Sequence, residues 1–203
     1  MSYIAIVDYG AGNLMSVHNS LDFLGYDNKI ACTAEDIERA AGVILPGVGA
    51  FPDAMRALAA SGLTAAVKCA AAEKPFLGIC LGMQMLFSES DEIRPCAGLD
   101  LLPGRIERIK TDLKLPQIGW NGLNILRPNA LTAGVKDGDC VYFVHSFMAM
   151  PRNPNDLACT ADYGAAVPAM VARGNLFGCQ FHPEKSGEVG LKILRNFAKL
   201  TEA

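Results

Sequence analysis

Up to about residue 90, short apolar runs alternate with helical patterns, and this rhythm restricts the fold more than any other feature of the chain. Residues 3–8 read as a buried strand, followed by a helix from about Asn13 that closes at Gly25. Residues 26–31 read as a second strand, Thr33-Ala34-Glu35-Asp36 as a capped helix start, and residues 42–45 as a third strand. Helical patterns fill residues 52–72, and residues 75–77 form a strand that runs straight into Cys80. Strands that alternate with helices pair in parallel and bury both sheet faces, which is why they are apolar throughout. The fold class expected is therefore α/β: a largely parallel central sheet flanked by helices, with additional antiparallel strands. The additions come after Glu89, where strand patterns cover residues 104–110, 119–126, 141–147, 157–161, 169–173 and 176–181, separated mostly by Pro, Gly, Asn or Asp turns. An amphipathic helix over 187–200 ends the pattern, and no linker or repeat divides residues 1–203, so one domain is expected.

Composition removes several classes of function. With 51% hydrophobic residues the chain can build a full core. Lys+Arg 18 against Asp+Glu 21, without a dense basic stripe, argues against a nucleic-acid partner. The start MSYIAIVDYG lacks a basic n-region, and every apolar run is broken before about 18 residues, so neither secretion nor a membrane span is expected. The seven cysteines are scattered without a C-x-x-C pair, which points to a reduced, cytoplasmic chain with no disulfide and no metal site.

One of those cysteines is framed as Gly78-Ile79-Cys80-Leu81-Gly82. A strand ending in G-x-nucleophile-x-G and turning at once into a helix holds its central side chain on a tight bend at the sheet edge. A helix starting at about Gly82 would aim its N-terminus at the sulfur and favour thiolate. A small buried hydrophobic cysteine is the other reading of the same residue.

A cysteine nucleophile needs a base, and the chain has three histidines. His18 falls in the first helix and reads as a surface residue. His145, in Tyr142-Phe143-Val144-His145-Ser146-Phe147, reads as structural or substrate-lining. His182, at the end of an apolar strand, is followed by Pro183 and Glu184, and residues two apart in extended chain point to one side. Glu184 could then fix the tautomer of His182, completing a Cys80-His182-Glu184 set. In Leu45-Pro46-Gly47-Val48-Gly49-Ala50-Phe51, Gly47 and Gly49 leave backbone amides unshielded beside the expected Cys80 turn, as an oxyanion donor requires, while a plain glycine turn remains the alternative.

Together these elements resemble the class I glutamine amidotransferases, and among them the glutaminases of the histidine branch. The resemblance runs nearly end to end, through Asp8-Tyr9-Gly10-Ala11-Gly12-Asn13-Leu14, the PGVGAF loop, GICLGMQ, Gly119-Trp120-Asn121, YFVHSF and Gln180-Phe181-His182-Pro183-Glu184-Lys185-Ser186. The chain departs from the family pattern at Gln117, where His is frequent, and at Phe147, where Tyr is frequent.

The resemblance implies that Cys80 attacks the side-chain amide of glutamine, His182 transfers protons and Glu184 orients His182. It further implies an oxyanion held by the backbone N–H groups of Leu81 and Val48, and a glutamine pocket lined by Gly47, Gln84, His145, Ser146 and Phe147. No cofactor is implied. The partner implied is a cyclase subunit resembling a TIM barrel, which takes the ammonia to make imidazole glycerol phosphate, with Asn13, Trp120 and Lys185 near the shared interface. A glutaminase feeding a different synthase, in sugar modification or a pyridoxal phosphate pathway, is the alternative.

Overall fold

The structure, a computed structural model, describes residues 3–202. The first half consists of β1 (Ile4–Val7), α1 (Leu14–Phe23), β2 (Asn28–Ala31), α2 (Ala34–Arg39), β3 (Gly42–Gly47), α3 (Phe51–Ala60), α4 (Thr64–Glu73), β4 (Phe76–Cys80) and α5 (Leu81–Met85). The second consists of β5 (Phe87–Ser90), β6 (Cys96–Ala97), β7 (Leu102–Arg108), β8 (Gln117–Ile125), β9 (Cys140–His145), β10 (Phe147–Pro151), β11 (Leu157–Asp162), β12 (Ala166–Arg173), β13 (Leu176–Cys179) and α6 (Gly187–Leu200).

Nine strands form one sheet in the order β2-β1-β3-β4-β13-β12-β11-β8-β9. From β2 to β13 every pairing is parallel, and from β13 to β9 every pairing is antiparallel. The parallel half has the buried faces expected of it: in β1, Ala5 and Val7 join one core cluster while Ile4 and Ile6 join the other. Helix α6 covers the second cluster with Gly190, Ile193, Leu194, Phe197 and Ala198, spaced to form a single stripe. Helix α2 begins as its sequence indicates, with Thr33 Oγ1 accepting the Asp36 N–H at 3.2 Å.

Some expectations need correction. The helical stretch over 52–72 is two helices, α3 and α4, broken at Gly62, whose φ is +75°. The helix after Cys80 is only five residues long. The strand expected over 141–147 is divided at Ser146, where β9 leaves the large sheet and β10 enters a second one of order β10-β7-β5-β6. That crossing puts His145, Ser146 and Phe147 in the crevice between the two sheets, next to the end of β4.

Candidate active site

Cys80 ends β4 with φ 54° and ψ −111°, a left-handed conformation for a non-glycine residue. Such a conformation costs on the order of 1–3 kcal/mol and persists only where the surroundings enforce it. Here the register does so, because Gly47 of β3 pairs with Cys80 and the chain folds straight back over its own strand. A Cβ on Gly78 would sit 2.7 Å from the Gly82 carbonyl and the Met83 amide, and one on Gly82 would sit 1.8 Å from the Leu45 carbonyl. The two flanking glycines are therefore demanded by contact between α5 and its neighbouring strands. Gly47 is demanded likewise, since its Cβ would lie 2.7 Å from the Gly82 amide.

His182 faces this bend from the end of β13. Its Nδ1–H donates to Glu184 Oε1 at 2.8 Å, a direction set by the carboxylate, which only accepts when ionised. Their proximity does not come from extended chain. Pro183–Lys185 is a single 3₁₀ turn, closed by Ser186 Oγ donating to the His182 carbonyl at 2.6 Å. Ser186 Oγ also accepts the Tyr142 N–H at 2.9 Å, and His182 N–H donates to the Tyr142 carbonyl at 2.9 Å, so β9 holds the turn in place. Both side chains are almost wholly buried. Burial opposes charge on the His182 ring, but the adjacent Cys80 sulfur and the Glu184 carboxylate outweigh it and hold the His182 pKa well above its ordinary value. Nε2 of His182 is buried without a hydrogen-bond partner.

A second amide-bearing pair stands behind the sulfur. Gln180 Nε2 approaches Cys80 Sγ at 3.8 Å, and Gln180 Oε1 accepts from Gln84 Nε2 at 2.9 Å. Gln84 Nε2 also donates to the Phe147 carbonyl at 3.0 Å, which commits both of its N–H groups to the protein. His145 Nδ1 bonds the same carbonyl at 2.8 Å, while its Nε2 is buried without a partner. Burial, with the nearby His182 adding to it against the Phe147 bond, pushes the His145 pKa down to about 4, so its ring is neutral at pH 7.

These groups surround a cleft of about 440 Å³, lined by Val48, Cys80, Leu81, Gln84, His145, Ser146, Phe147 and His182 among others. Gly47, predicted to line the pocket, ends β3 opposite Cys80 but is not among the residues that line the cleft, and Glu184 lies behind His182. Gly49 has φ +96° and open space where a Cβ would be, a backbone conformation that glycine adopts at little cost. Five contributors were not singled out from the sequence: Gln180, Glu92, Arg108, Pro116 and Val144. Gln180 sits inside the quoted QFHPEKS run, whereas Glu92 and Arg108 belong to no motif.

Asn13, Trp120 and Lys185 are outside the cleft. Asn13 Nδ2 donates to Glu184 Oε1 at 3.2 Å and Asn13 Oδ1 accepts from Ser16 Oγ at 2.8 Å, so Asn13 joins the start of α1 to the buried carboxylate. Trp120 is exposed, opposite Tyr142 in the β8–β9 ladder, and the next exposed pair on that face is Ile118 opposite Val144. Lys185 is exposed on the 3₁₀ turn.

Among the described residues no cluster of His, Cys, Asp and Glu is arranged to hold a metal, and no helix is long and apolar enough to cross a membrane. The family model for glutamine amidotransferase class-I matches residues 5–200. The chain is 50% identical over 202 residues to imidazole glycerol phosphate synthase subunit HisH of Bacillus cereus (strain G9842), covering 98% of this chain and 96% of that one. It is 50% identical over 201 residues, with the same coverage, to the subunit of that name from Moorella thermoacetica (strain ATCC 39073 / JCM 9320). In fold it is similar to the structure of PurLQS from Thermotoga maritima, with a TM-score of 0.77 at 20% identity over 98% of this chain and 99% of that one. The chain thus belongs to the class I glutamine amidotransferase family.

Proposed function

We propose that the chain is the glutaminase subunit of an imidazole glycerol phosphate synthase, hydrolysing glutamine to glutamate and ammonia in histidine biosynthesis and passing the ammonia to a cyclase subunit. The observation that carries this reading is the strained Cys80 bend facing the hydrogen-bonded His182–Glu184 pair across one cleft, in a chain half identical to subunits of that synthase.

In the reaction, the Cys80 thiolate attacks the γ-carbonyl carbon of glutamine, and the carbonyl oxygen becomes an oxyanion. The Leu81 N–H, at the first position of α5, and the Val48 N–H, once the hinge at Gly49 has turned it inward, stabilise that charge. His182 then gives its Nε2 proton to the departing nitrogen, and ammonia leaves behind a γ-glutamyl thioester. The neutral His182 next takes a proton from water, the hydroxide attacks the thioester, and glutamate departs as Cys80 is regenerated. Glu184 keeps Nδ1 protonated throughout and stabilises the cationic ring.

Free glutamine also carries an α-ammonium and an α-carboxylate. Glu92 and Arg108 line the cleft with opposite charges, and neither is in an ion pair among the described residues, which suits a zwitterion. The exposed apolar face made by Ile118, Trp120 and Val144 suits docking of a TIM-barrel-like cyclase, with Lys185 and Asn13 as further contacts in this reading. Seven scattered cysteines without a C-x-x-C pair suit a reducing compartment such as the cytoplasm.

The test is glutamate formation by the purified chain with and without the cyclase and its nucleotide substrate. Strong stimulation by the complex, abolished by Cys80→Ala in a folded protein, is the expected result. A complex that forms no glutamate from glutamine would overturn the reading.

A further inference from the structure

Glu92 occupies two environments at once. Its carboxylate lines the cleft of Cys80, and its Oε2 accepts the backbone N–H of Phe51 at 2.7 Å, across 41 residues of sequence. Helix α3 needs an acceptor from elsewhere. Its N-cap is Ala50, which has no side-chain oxygen, and a helix start without a cap leaves its first amides to solvent. The Glu92 backbone is itself held, because its N–H donates to the hydroxyl of the buried Ser90 at 3.1 Å.

The position of Phe51 makes this contact matter beyond the helix. Phe51 is fully buried and follows Val48, Gly49 and Ala50 directly. Any rotation that brings the Val48 N–H toward Cys80 happens between the strand end at Gly47 and the first residue of α3. Gly49 supplies the freedom, and the Glu92–Phe51 bond marks where that freedom ends.

We propose that Glu92 is a positioning residue for the oxyanion loop: through Oε2 it anchors the far end of the 48–50 segment, and through Oε1 it meets the α-ammonium of the substrate. This rests on the glutaminase reading above and adds a linkage within it. A carboxylate has acceptor capacity for both donors. An ammonium bound at Oε1 restrains the side chain whose other oxygen restrains Phe51, so occupation of the cleft by an amino acid steadies the segment that must present the Val48 N–H. An amide lacking the α-ammonium would fill the reacting end of the cleft without that restraint.

The experiment compares three variants in the complex with the cyclase, following kcat and KM for glutamate formation. Glu92→Gln keeps an oxygen for the Phe51 N–H and loses the charge, so KM rises about tenfold or more while kcat keeps most of its value. Glu92→Asp keeps the charge but is one methylene short of Phe51, and its kcat falls more than that of Glu92→Gln. Glu92→Ala loses both contacts, with kcat lower by about 10- to 100-fold, below the 10²–10³ seen when a donor is removed outright. The alkylation rate of Cys80 by iodoacetamide, which needs neither the ammonium contact nor the oxyanion loop, stays near wild type in all three and shows that the bend is intact. Equal kcat losses in the Gln, Asp and Ala variants would overturn the proposal, as would alkylation rates that fall in step with kcat. Failure of the wild-type complex to make glutamate would instead count against the glutaminase reading.

Discussion

Gln180 stands 3.8 Å from the sulfur of Cys80, its amide nitrogen directed at the one side chain on which the chemistry depends. The amide cannot turn around without loss, because its oxygen accepts from Gln84, which is held in turn by the Phe147 carbonyl. Hydrogen bonds to charged groups contribute about 1.5–3 kcal/mol. Gln180→Met, which keeps the volume and removes the donor, is therefore expected to slow alkylation of Cys80 at neutral pH by about tenfold. An unchanged rate would mean that the contact has no part in holding the thiolate.

His182 and Glu184 act as one unit if the carboxylate works only through the ring. His182→Ala should cost several orders of magnitude in kcat, and Glu184→Gln less, because Tyr142 and Ser186 still hold the turn. The double variant should be little worse than His182→Ala alone. Losses that simply add would separate the two residues into independent roles.

Replacing Gly49 tests the hinge without crowding. Nothing lies within 4 Å of an added Cβ, so the only penalty is backbone strain at φ +96°, about 1–3 kcal/mol for a side chain that avoids this region. Gly49→Val should lower the partner-stimulated rate by about 10² while glutamine binding changes only a few-fold. Normal activation by the cyclase would remove the loop from the mechanism.

His145 makes a prediction about acid stability. Its folded pKa of about 4 lies below the ordinary histidine value near 6.5, so the unfolded chain binds a proton that the folded chain refuses. The contribution to stability is complete above about pH 6.5, declines as the pH falls, and levels off below about 4, for a loss of roughly 3 kcal/mol. Urea denaturation from pH 7 to pH 4 should show that decline in the wild type and a flatter profile in His145→Gln. Parallel profiles would assign the acid sensitivity to other groups.

On the outer face of β8 and β9, Trp120 and Ile118 expose over half of their surfaces, at 55% and 59%. Trp120→Ala and Ile118→Asp should leave the melting temperature within a few degrees, since neither side chain is in the core. Both should weaken association with the cyclase by at least tenfold, measured by sedimentation or calorimetry. Unaltered affinity would move the docking surface elsewhere.

What the sequence determined by itself was whatever depends on neighbours along the chain. The alternation of apolar strands and helices gave the parallel half of the sheet, the 3.6-residue stripe of Ile193, Leu194 and Phe197 gave α6, and the Gly78-Cys80-Gly82 frame gave the bend. The tertiary structure decided what depends on pairs far apart. Ser146 had to be the point where one apparent strand crosses between two sheets, and periodicity cannot register this because both halves alternate alike. His182 and Glu184 meet through a 3₁₀ turn pinned by β9, where the sequence pattern suggests extended chain. Gln180 reaches Cys80 from 100 residues away, Asn13 reaches Glu184 from 171, and Glu92 caps a helix 41 residues before it. Each of these contacts satisfies a buried or helix-terminal polar group, and which distant group lies within 3 or 4 Å is set by the strand order of the whole sheet.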